Sequence, residues 1–181
     1  MKKIILVFCM AALLVACNEE KKTETAAEAT PVAASTEKAP VELLNDSNLV
    51  ASTMASFTAF ENKDIEGYTA GMADNVMFRW SGGDSLAGKQ AVKDYYTGRF
   101  NIIDNIKFSD HISLPLMANV SPVASVATGK WMLSWYKVSV KYKNGKSIAF
   151  WAHNTQHYND AGKMDIFNQY LDRAPIMAAS K

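Results

Sequence analysis

The sequence has little cysteine, almost no net charge and no long apolar segment, and each shortage excludes a class of protein. Its two cysteines, Cys9 and Cys17, both lie close to the N-terminus. The 19 lysine and arginine residues barely outnumber the 18 acidic residues, so no basic surplus indicates a nucleic-acid partner. The apolar run over residues 4–16 is shorter than the roughly 20 residues that a membrane-spanning helix needs. The sequence also has no phosphate-binding loop, nucleophile elbow or Cys-His arrangement.

The first residues have the pattern of a bacterial lipoprotein signal peptide. Lys2 and Lys3 precede the apolar run, which ends in the tetrapeptide Leu14-Val15-Ala16-Cys17. We therefore expect residues 1–16 to be a signal peptide and Cys17 to become an acylated N-terminal residue, with chains such as palmitate. Each buried methylene contributes about 0.8 kcal/mol, so several chains form a stable membrane anchor. The alternative is a secreted protein that is cleaved nearby and keeps Cys17 free.

The segment after Cys17 has the composition of a flexible tether. Residues 18–43 contain no aromatic residue and are dominated by Glu, Lys, Thr, Ala and Pro, which cannot offset the entropy cost of folding. We expect a lipidated, disordered tether over residues 17–43 and a folded domain over residues 44–177. The charged segment 18–22 resembles the export signal of Bacteroidota surface lipoproteins, and a solvated leader explains it equally well. The predicted location is the bacterial cell envelope, with a lipid anchor in the outer membrane and the domain in the periplasm or on the surface.

Three helices are predicted in the first half of the folded region. Asp46 can cap the first, whose apolar residues include Phe57 and Phe60. Asp64 can cap a short second helix that reaches Met72, and Gly88 opens the third.

Strand patterns occupy the rest of the region. Residues 76–80 alternate, and residues 106–114 alternate with His111 facing water and a core-facing set of Ile106, Phe108, Asp110, Ile112 and Leu114. A meander follows over residues 130–172. The order of elements predicts an α+β domain in which three N-terminal helices pack on one face of a curved antiparallel sheet.

Two turns set the predicted register of the meander. Asn144-Gly145 predicts a two-residue type I′ turn with Val140 opposite Ala149. The segment 159–162 predicts a bulged type I turn, whereas a four-residue loop there would turn Phe167 and Leu171 outward. The bulged register gives an inner face of Met132, Ser134, Tyr136, Val138, Trp151, His153, Thr155, His157, Phe167, Gln169 and Leu171. The outer face would expose Trp135, Phe150 and Tyr170, which suggests the surface of a homodimer.

Three segments are similar to the SnoaL-like branch of the nuclear transport factor 2-like (NTF2-like) superfamily: FENKDIEGYTAGMADNVMFRW, GKQAVKDYYTGRF and AGKMDIFNQYLDRA. The resemblance spans nearly all of residues 44–174. It implies a cone whose sheet wraps a cavity closed by the helices, and commonly a dimer. The superfamily includes polyketide cyclases, ketosteroid isomerase, limonene epoxide hydrolase, scytalone dehydratase and binding modules without catalysis, so the fold does not settle the function. Gln169 stands where the epoxide hydrolases carry an acidic residue, which argues against their mechanism.

Three residues are candidates for catalysis: His153, Asp110 and Tyr136. His153, predicted beside Tyr136 and Gln169, could act as a general acid or base, or could be a core histidine with satisfied hydrogen bonds. Asp110 on an apolar face would have the raised pKa that a proton-abstracting base requires, or could simply bond to backbone. His157 opposite Asp165 reads as a polar pair at the end of a hairpin.

The remaining candidates would bind a ligand, and no metal or other cofactor is expected. His153 and His157 would lie about 13 Å apart on one strand, too far to share an ion. The predicted lining of the cavity is Trp80, Tyr68, Tyr96, Trp151, Thr155, Phe167 and Gln169. Two functions stay open: a lipid-anchored protein that binds a small apolar or amphipathic molecule, and a cofactor-free lyase or isomerase that uses His153, Asp110 and Tyr136 for proton transfer.

Overall fold

The structure, a computed structural model, describes residues 38–121, 123 and 126–181. The predicted signal peptide, Cys17 and the tether up to residue 37 lie outside the described residues. Within them, no helix combines the length and apolar character needed to cross a membrane. The elements in chain order are β1 (Val41–Leu43), α1 (Ser47–Glu61), α2 (Ile65–Thr69), β2 (Met72–Trp80), β3 (Ser85–Ala87), α3 (Lys89–Phe100), β4 (Ile103–Ala118), β5 (Gly129–Tyr142), β6 (Ser147–Tyr158), β7 (Met164–Tyr170) and α4 (Arg173–Ala179).

The strands form one sheet in the order β1-β4-β5-β6-β7-β2-β3, which confirms the predicted α+β class. Neighbouring strands are antiparallel except β2 and β7, which run parallel. Three short elements, β1, β3 and α4, were not predicted from the sequence. Residues 41–43, expected in the tether, instead pair with the end of β4, since an edge strand of three residues needs only backbone hydrogen bonds.

The predicted helix starts are confirmed. The Asp46 carboxylate accepts a hydrogen bond from the Leu49 amide at 3.0 Å, and the Asp64 carboxylate accepts one from the Gly67 amide at 2.9 Å. The second helix ends at Thr69, however, and Met72 is the buried first residue of β2.

Aromatic packing joins the first three helices to the concave face of the sheet. The Phe60 ring on α1 lies 4.8 Å from that of Tyr68 and 5.0 Å from that of Tyr96, on α2 and α3. The Phe57 ring lies 4.7 Å from that of Tyr136 on β5. These edge-to-face contacts are the geometry that aromatic rings prefer, and they fix the helices over the sheet.

The turn between β5 and β6 differs from the prediction by one residue. The Tyr142 amide donates to the Lys146 carbonyl at 2.8 Å, so the loop holds three residues, and Gly145 alone takes a positive φ of 87°. Asn144 has a negative φ because its side chain is engaged elsewhere: its amide donates to the Ala179 carbonyl at 2.9 Å, and its oxygen accepts from the Lys146 amide. A type I′ turn would need a positive φ at this asparagine.

The one-residue change reverses the two faces of β6. Tyr136 pairs with Ala152 rather than His153. The buried inward residues of β6 are therefore Ala152, Asn154 and Gln156, whereas Ala149, Trp151, His153 and Thr155 belong to the outer face.

The second turn forms as predicted, but a bulge follows it. The Asn159 amide donates to the Lys163 carbonyl at 2.9 Å. Tyr158 then pairs with Met164 and His157 with Ile166, so β7 has one extra residue. The two register shifts cancel along β7, which leaves Phe167 facing inward as predicted, with its ring stacked 4.2 Å from that of Phe78.

A further bulge lies in β4 at Asp110. Ser109 pairs with Lys137 and Ile112 with Trp135, so three steps on β4 match two on β5. Asp110 adopts the left-handed conformation with φ of 54°. The predicted core positions Asp110, Ile112 and Leu114 are consequently exposed, because the bulge turns the rest of the strand over.

Asp110→Gly is expected to raise the free energy of unfolding by about 0.5–1 kcal/mol. Glycine adopts a positive φ without the steric cost that a Cβ atom imposes. Urea denaturation measures the change, and Ser109→Gly, at an ordinary strand position, is the control that we expect to be destabilising. Equal destabilisation by both variants would contradict the bulge.

Candidate functional site

A cavity of about 120 Å³ lies between the helices and the concave face of the sheet. Its walls are mostly aromatic and aliphatic, contributed by α1, α2, α3, α4 and five strands. The lining residues are Ser56, Phe57, Phe60, Tyr68, Trp80, Tyr95, Tyr96, Arg99, Ile103, Ile106, Phe108, Tyr136, Val138, Val140, Tyr142, Phe150, Asn154, Gln156, Phe167, Gln169, Leu171, Arg173 and Ile176.

Tyr136 is the centre of a hydrogen-bond network in this lining. The Trp80 indole N–H donates to the Gln169 side-chain oxygen at 3.0 Å, and the Gln169 amide nitrogen donates to the Tyr136 hydroxyl at 3.2 Å. An indole N–H can only donate, so the Gln169 amide has one possible orientation. Asn154 Nδ2 also donates to the Tyr136 hydroxyl, at 3.2 Å. Two donors thus fill the lone pairs of this oxygen, and its O–H is left to donate to another acceptor.

The network continues along β6. Gln156 Nε2 donates to Asn154 Oδ1 at 3.4 Å, and the Tyr158 hydroxyl donates to Gln156 Oε1 at 2.6 Å. Asn154 and Gln156 are buried and line the cavity, although the predicted register puts both on the outer face. Both faces of β6 carry polar side chains, so alternation alone could not identify the inner one. The signal that could have found them is the asparagine of the preceding turn, whose side chain can close a three-residue loop.

Three tyrosines of the cavity, Tyr136, Tyr68 and Tyr96, have pKa values raised by burial. Burial raises the pKa of Tyr136, although the hydrogen bonds from Gln169 and Asn154 partly oppose this effect. Burial likewise raises the pKa of Tyr68 and of Tyr96. At neutral pH the Tyr136 hydroxyl is therefore a neutral donor.

The charged side chains of the lining are both arginines. Arg173 forms an ion pair with Asp84, and its guanidinium lies 5.3 Å from the centre of the Trp80 ring. Arg99 Nη2 is 3.4 Å from the Tyr142 hydroxyl. Among the described residues that line the cavity, none is aspartate, glutamate or histidine.

His153 lies on the outer face of the sheet. Its ring stacks 4.4 Å from that of Trp135 and 5.6 Å from that of Tyr170, and its Nδ1 is 3.0 Å from the Ser134 carbonyl oxygen. The prediction that it faces the cavity beside Tyr136 was wrong, because it rested on the two-residue turn.

The other predicted site residues divide into two groups. Asp110 is exposed at its bulge, Trp151 is 57% exposed, and the Thr155 hydroxyl accepts from Asn168 Nδ2 on the outer face. None of these three lines the cavity. The predicted residues that do line it are Tyr136, Trp80, Tyr68, Tyr96, Phe167 and Gln169.

The other two histidines also lie outside the cavity lining. His111 is exposed, as predicted, although its ring lies 4.9 Å from that of Phe57. His157 Nδ1 is 2.6 Å from Asp165 Oδ1, which confirms the predicted polar pair, and its Nε2 is 2.9 Å from the Thr128 carbonyl oxygen. Its predicted place on the inner face was wrong, because the register of β6 puts it on the outer face with His153.

Tyr136→Phe is expected to lower the free energy of unfolding by about 1–3 kcal/mol, because two donors in a buried site lose their acceptor. Tyr142→Phe is the control on the same strand. Its hydroxyl has the single long contact with Arg99, so the expected cost is about 0.5 kcal/mol. Chemical denaturation measures both, and equal costs would contradict the network.

Solved structures with this fold come from several bacteria. An NTF2-like protein of unknown function from Burkholderia pseudomallei is 17% identical, with a TM-score of 0.57 over 74% of this chain and 98% of its own. A proposed polyketide cyclase of Xanthomonas campestris is 15% identical, with a TM-score of 0.60 over 76% of this chain and 100% of its own. An LEH-like epoxide hydrolase of M. tuberculosis is 14% identical, with a TM-score of 0.56 over 74% of this chain and 89% of its own.

These similarities establish the fold. The chain has the NTF2-like fold, as its sequence segments predicted. No protein-family model and no curated protein sequence matches the chain. Proteins with this fold include binding modules as well as enzymes, so the chemistry must be argued from the cavity itself.

Proposed function

We propose that this protein binds a small, largely apolar molecule in its cavity and donates a hydrogen bond to it from Tyr136. The observation that carries the proposal is the Tyr136 hydroxyl, whose lone pairs are filled by Asn154 and Gln169. A neutral hydroxyl held in this way is a fixed donor for a carbonyl, ether or hydroxyl oxygen. Apolar walls with a few convergent polar groups are typical of ligand pockets.

The size of the cavity limits the ligand. Its volume of about 120 Å³ is close to that of an engineered apolar cavity, about 150 Å³, that takes up benzene. A single substituted aromatic ring is therefore the expected scale, with its faces against the aromatic walls.

The enzyme alternative has less support. Proton transfer by a lyase or isomerase needs a base within hydrogen-bond reach of the substrate. Of the three groups that the alternative uses, Tyr136 lines the cavity, but the acid-base candidates His153 and Asp110 lie away from its lining. Gln169 donates to a tyrosine where an epoxide hydrolase would hold a carboxylate, so similarity to the LEH-like epoxide hydrolase does not bring its chemistry to this chain.

Methyl NMR of the full chain titrated with acetophenone tests the proposal. We expect the methyl signals of Val138, Val140 and Ile106, which line the cavity, to shift in a saturable way. The methyl signals of Ile112 and Leu114, on the exposed part of β4, are the internal control and should stay in place. Shifts of equal size in both sets, or none in the first set, would contradict binding in the cavity.

The location remains the one expected from the N-terminal sequence, a lipid anchor at Cys17 in the outer membrane of a bacterium. Intact mass and membrane fractionation test it with two matched variants. Cys17→Ser should lose the mass of the acyl chains and leave the membrane fraction, whereas Cys9→Ser, within the predicted signal peptide, should retain both. Equal behaviour of the two variants would contradict lipidation at Cys17.

We also propose that two copies of the chain form a homodimer through the outer face of the sheet. Its support is the exposure of Ile112 (53%), Trp151 (57%) and Tyr170 (48%), beside the stacked ring of His153. Phe150, first expected in this surface, lines the cavity instead. Trp151→Glu should shift sedimentation equilibrium toward monomer, whereas Leu43→Glu, exposed on β1, should not. Monomer alone in the unaltered protein would contradict the dimer.

A further inference from the structure

Arg99 has most of its hydrogen-bonding capacity unused in a site that is partly shielded from water. It lies in the last turn of α3, is half-buried, and lines the cavity. A guanidinium group carries five N–H donors, and the contact found for this one is a long hydrogen bond of 3.4 Å to the Tyr142 hydroxyl. Among the described residues, no carboxylate lies within ion-pair distance of it.

The other arginine of the lining, Arg173, already has an ion-pair partner. Arg173 has its charge balanced by Asp84 and its plane near the Trp80 ring. Among the described residues, Arg99 therefore has no partner that balances its positive charge, and the cavity lining has no carboxylate. Because electrostatic attraction strengthens as water is excluded, such a charge favours an anionic ligand over a neutral one.

We propose that the ligand of the cavity is a small aromatic carboxylate whose carboxylate pairs with Arg99. The inference rests on the proposed function and adds the charge and the class of the ligand: the carboxylate pairs with Arg99, and a second oxygen on the ring accepts the hydrogen bond from Tyr136. The planar fork of a guanidinium group matches a carboxylate through two parallel N–H···O bonds. The aromatic residues of the same lining, Tyr95 and Phe60 among them, can pack against the ring.

Isothermal titration calorimetry of the full chain with benzoate and with benzamide tests this class. The two probes have nearly the same shape and differ in charge. We expect benzoate to bind at least about tenfold more tightly than benzamide, as a charge-assisted hydrogen bond allows. Arg99→Gln should remove this preference while benzamide still binds, which shows that the cavity is intact. Arg99→Lys, which keeps the charge without the fork, should retain part of it.

Arg79→Gln is the matched control. Arg79 is exposed on β2 and does not line the cavity, so the variant changes the net charge equally and should keep the full preference. Equal binding of both probes by the unaltered protein would contradict the proposal that the ligand is a carboxylate, and the proposed function would still hold. A preference that survives Arg99→Gln would overturn the role of Arg99. Binding of neither probe would contradict the proposed function, and the carboxylate with it.

Discussion

Ala152→Asp is expected to lower the free energy of unfolding by about 3–5 kcal/mol, the cost of an uncompensated buried charge. Ala152 is 3% exposed and stands opposite Tyr136 on the concave side of the sheet. Aspartate there would lie among aromatic and amide groups, with its carboxylate cut off from water. Urea denaturation followed by circular dichroism measures the loss.

Ala149→Asp is the control for this variant. Ala149 lies on the same strand, is exposed, and pairs with Ser139 on the outer side. The expected cost is about 0.5 kcal/mol, the usual size for a surface change. The two-residue turn expected from Asn144-Gly145 predicts the reverse order, with Ala149 inside. A larger loss for Ala149→Asp than for Ala152→Asp would therefore contradict the register of β6.

Ser56→Phe is expected to abolish binding of small ligands. Ser56 lies on α1, lines the cavity, and is half-buried, with its hydroxyl bonded to the Thr53 carbonyl at 2.7 Å. A benzyl group at this position would fill much of the cavity of about 120 Å³. Filling an existing void costs far less than overpacking a closed core, so the fold should survive.

Ser52→Phe separates occlusion from a general effect of the substitution. Ser52 lies one turn earlier on the same helix, is exposed, and also bonds to a carbonyl of its own helix. Titration with acetophenone, followed by the methyl signals of Val138 and Val140, should show normal binding to this variant and none to Ser56→Phe. Normal binding to both would place the ligand outside the cavity.

The sequence predicted the fold because its signals there are local. Asp46 and Asp64 cap their helices through their own side chains, and Phe57 and Phe60 recur at a helical spacing that only an inward face explains. Such features depend only on residues that are close in the sequence. Their prediction therefore stays correct even where the register of another element is predicted wrongly. The order of the helices and strands was then enough to recognise the resemblance to the NTF2-like superfamily.

The site was predicted only in part because it depends on register. Tyr136 and Gln169 were placed on the inner face correctly, whereas β6 was reversed by a turn of three residues instead of two. The length of this turn depends on the hydrogen bonds from Asn144 to the carbonyls of Ala179 and Lys181, which are distant in the sequence. The bulge at Asp110 is likewise a property of strand pairing. Neither the turn length nor the bulge can be predicted from the alternation of polar and apolar residues.

The most direct test of the cavity as a binding site is native mass spectrometry of the full chain, purified gently as the unaltered protein, as Ser56→Phe and as His153→Ala. A binding cavity with Tyr136 as its donor predicts a co-purified small molecule on the unaltered protein and on His153→Ala, and none on Ser56→Phe. A molecule that is lost from His153→Ala and retained by Ser56→Phe would contradict it, since the site would then lie on the outer face of the sheet.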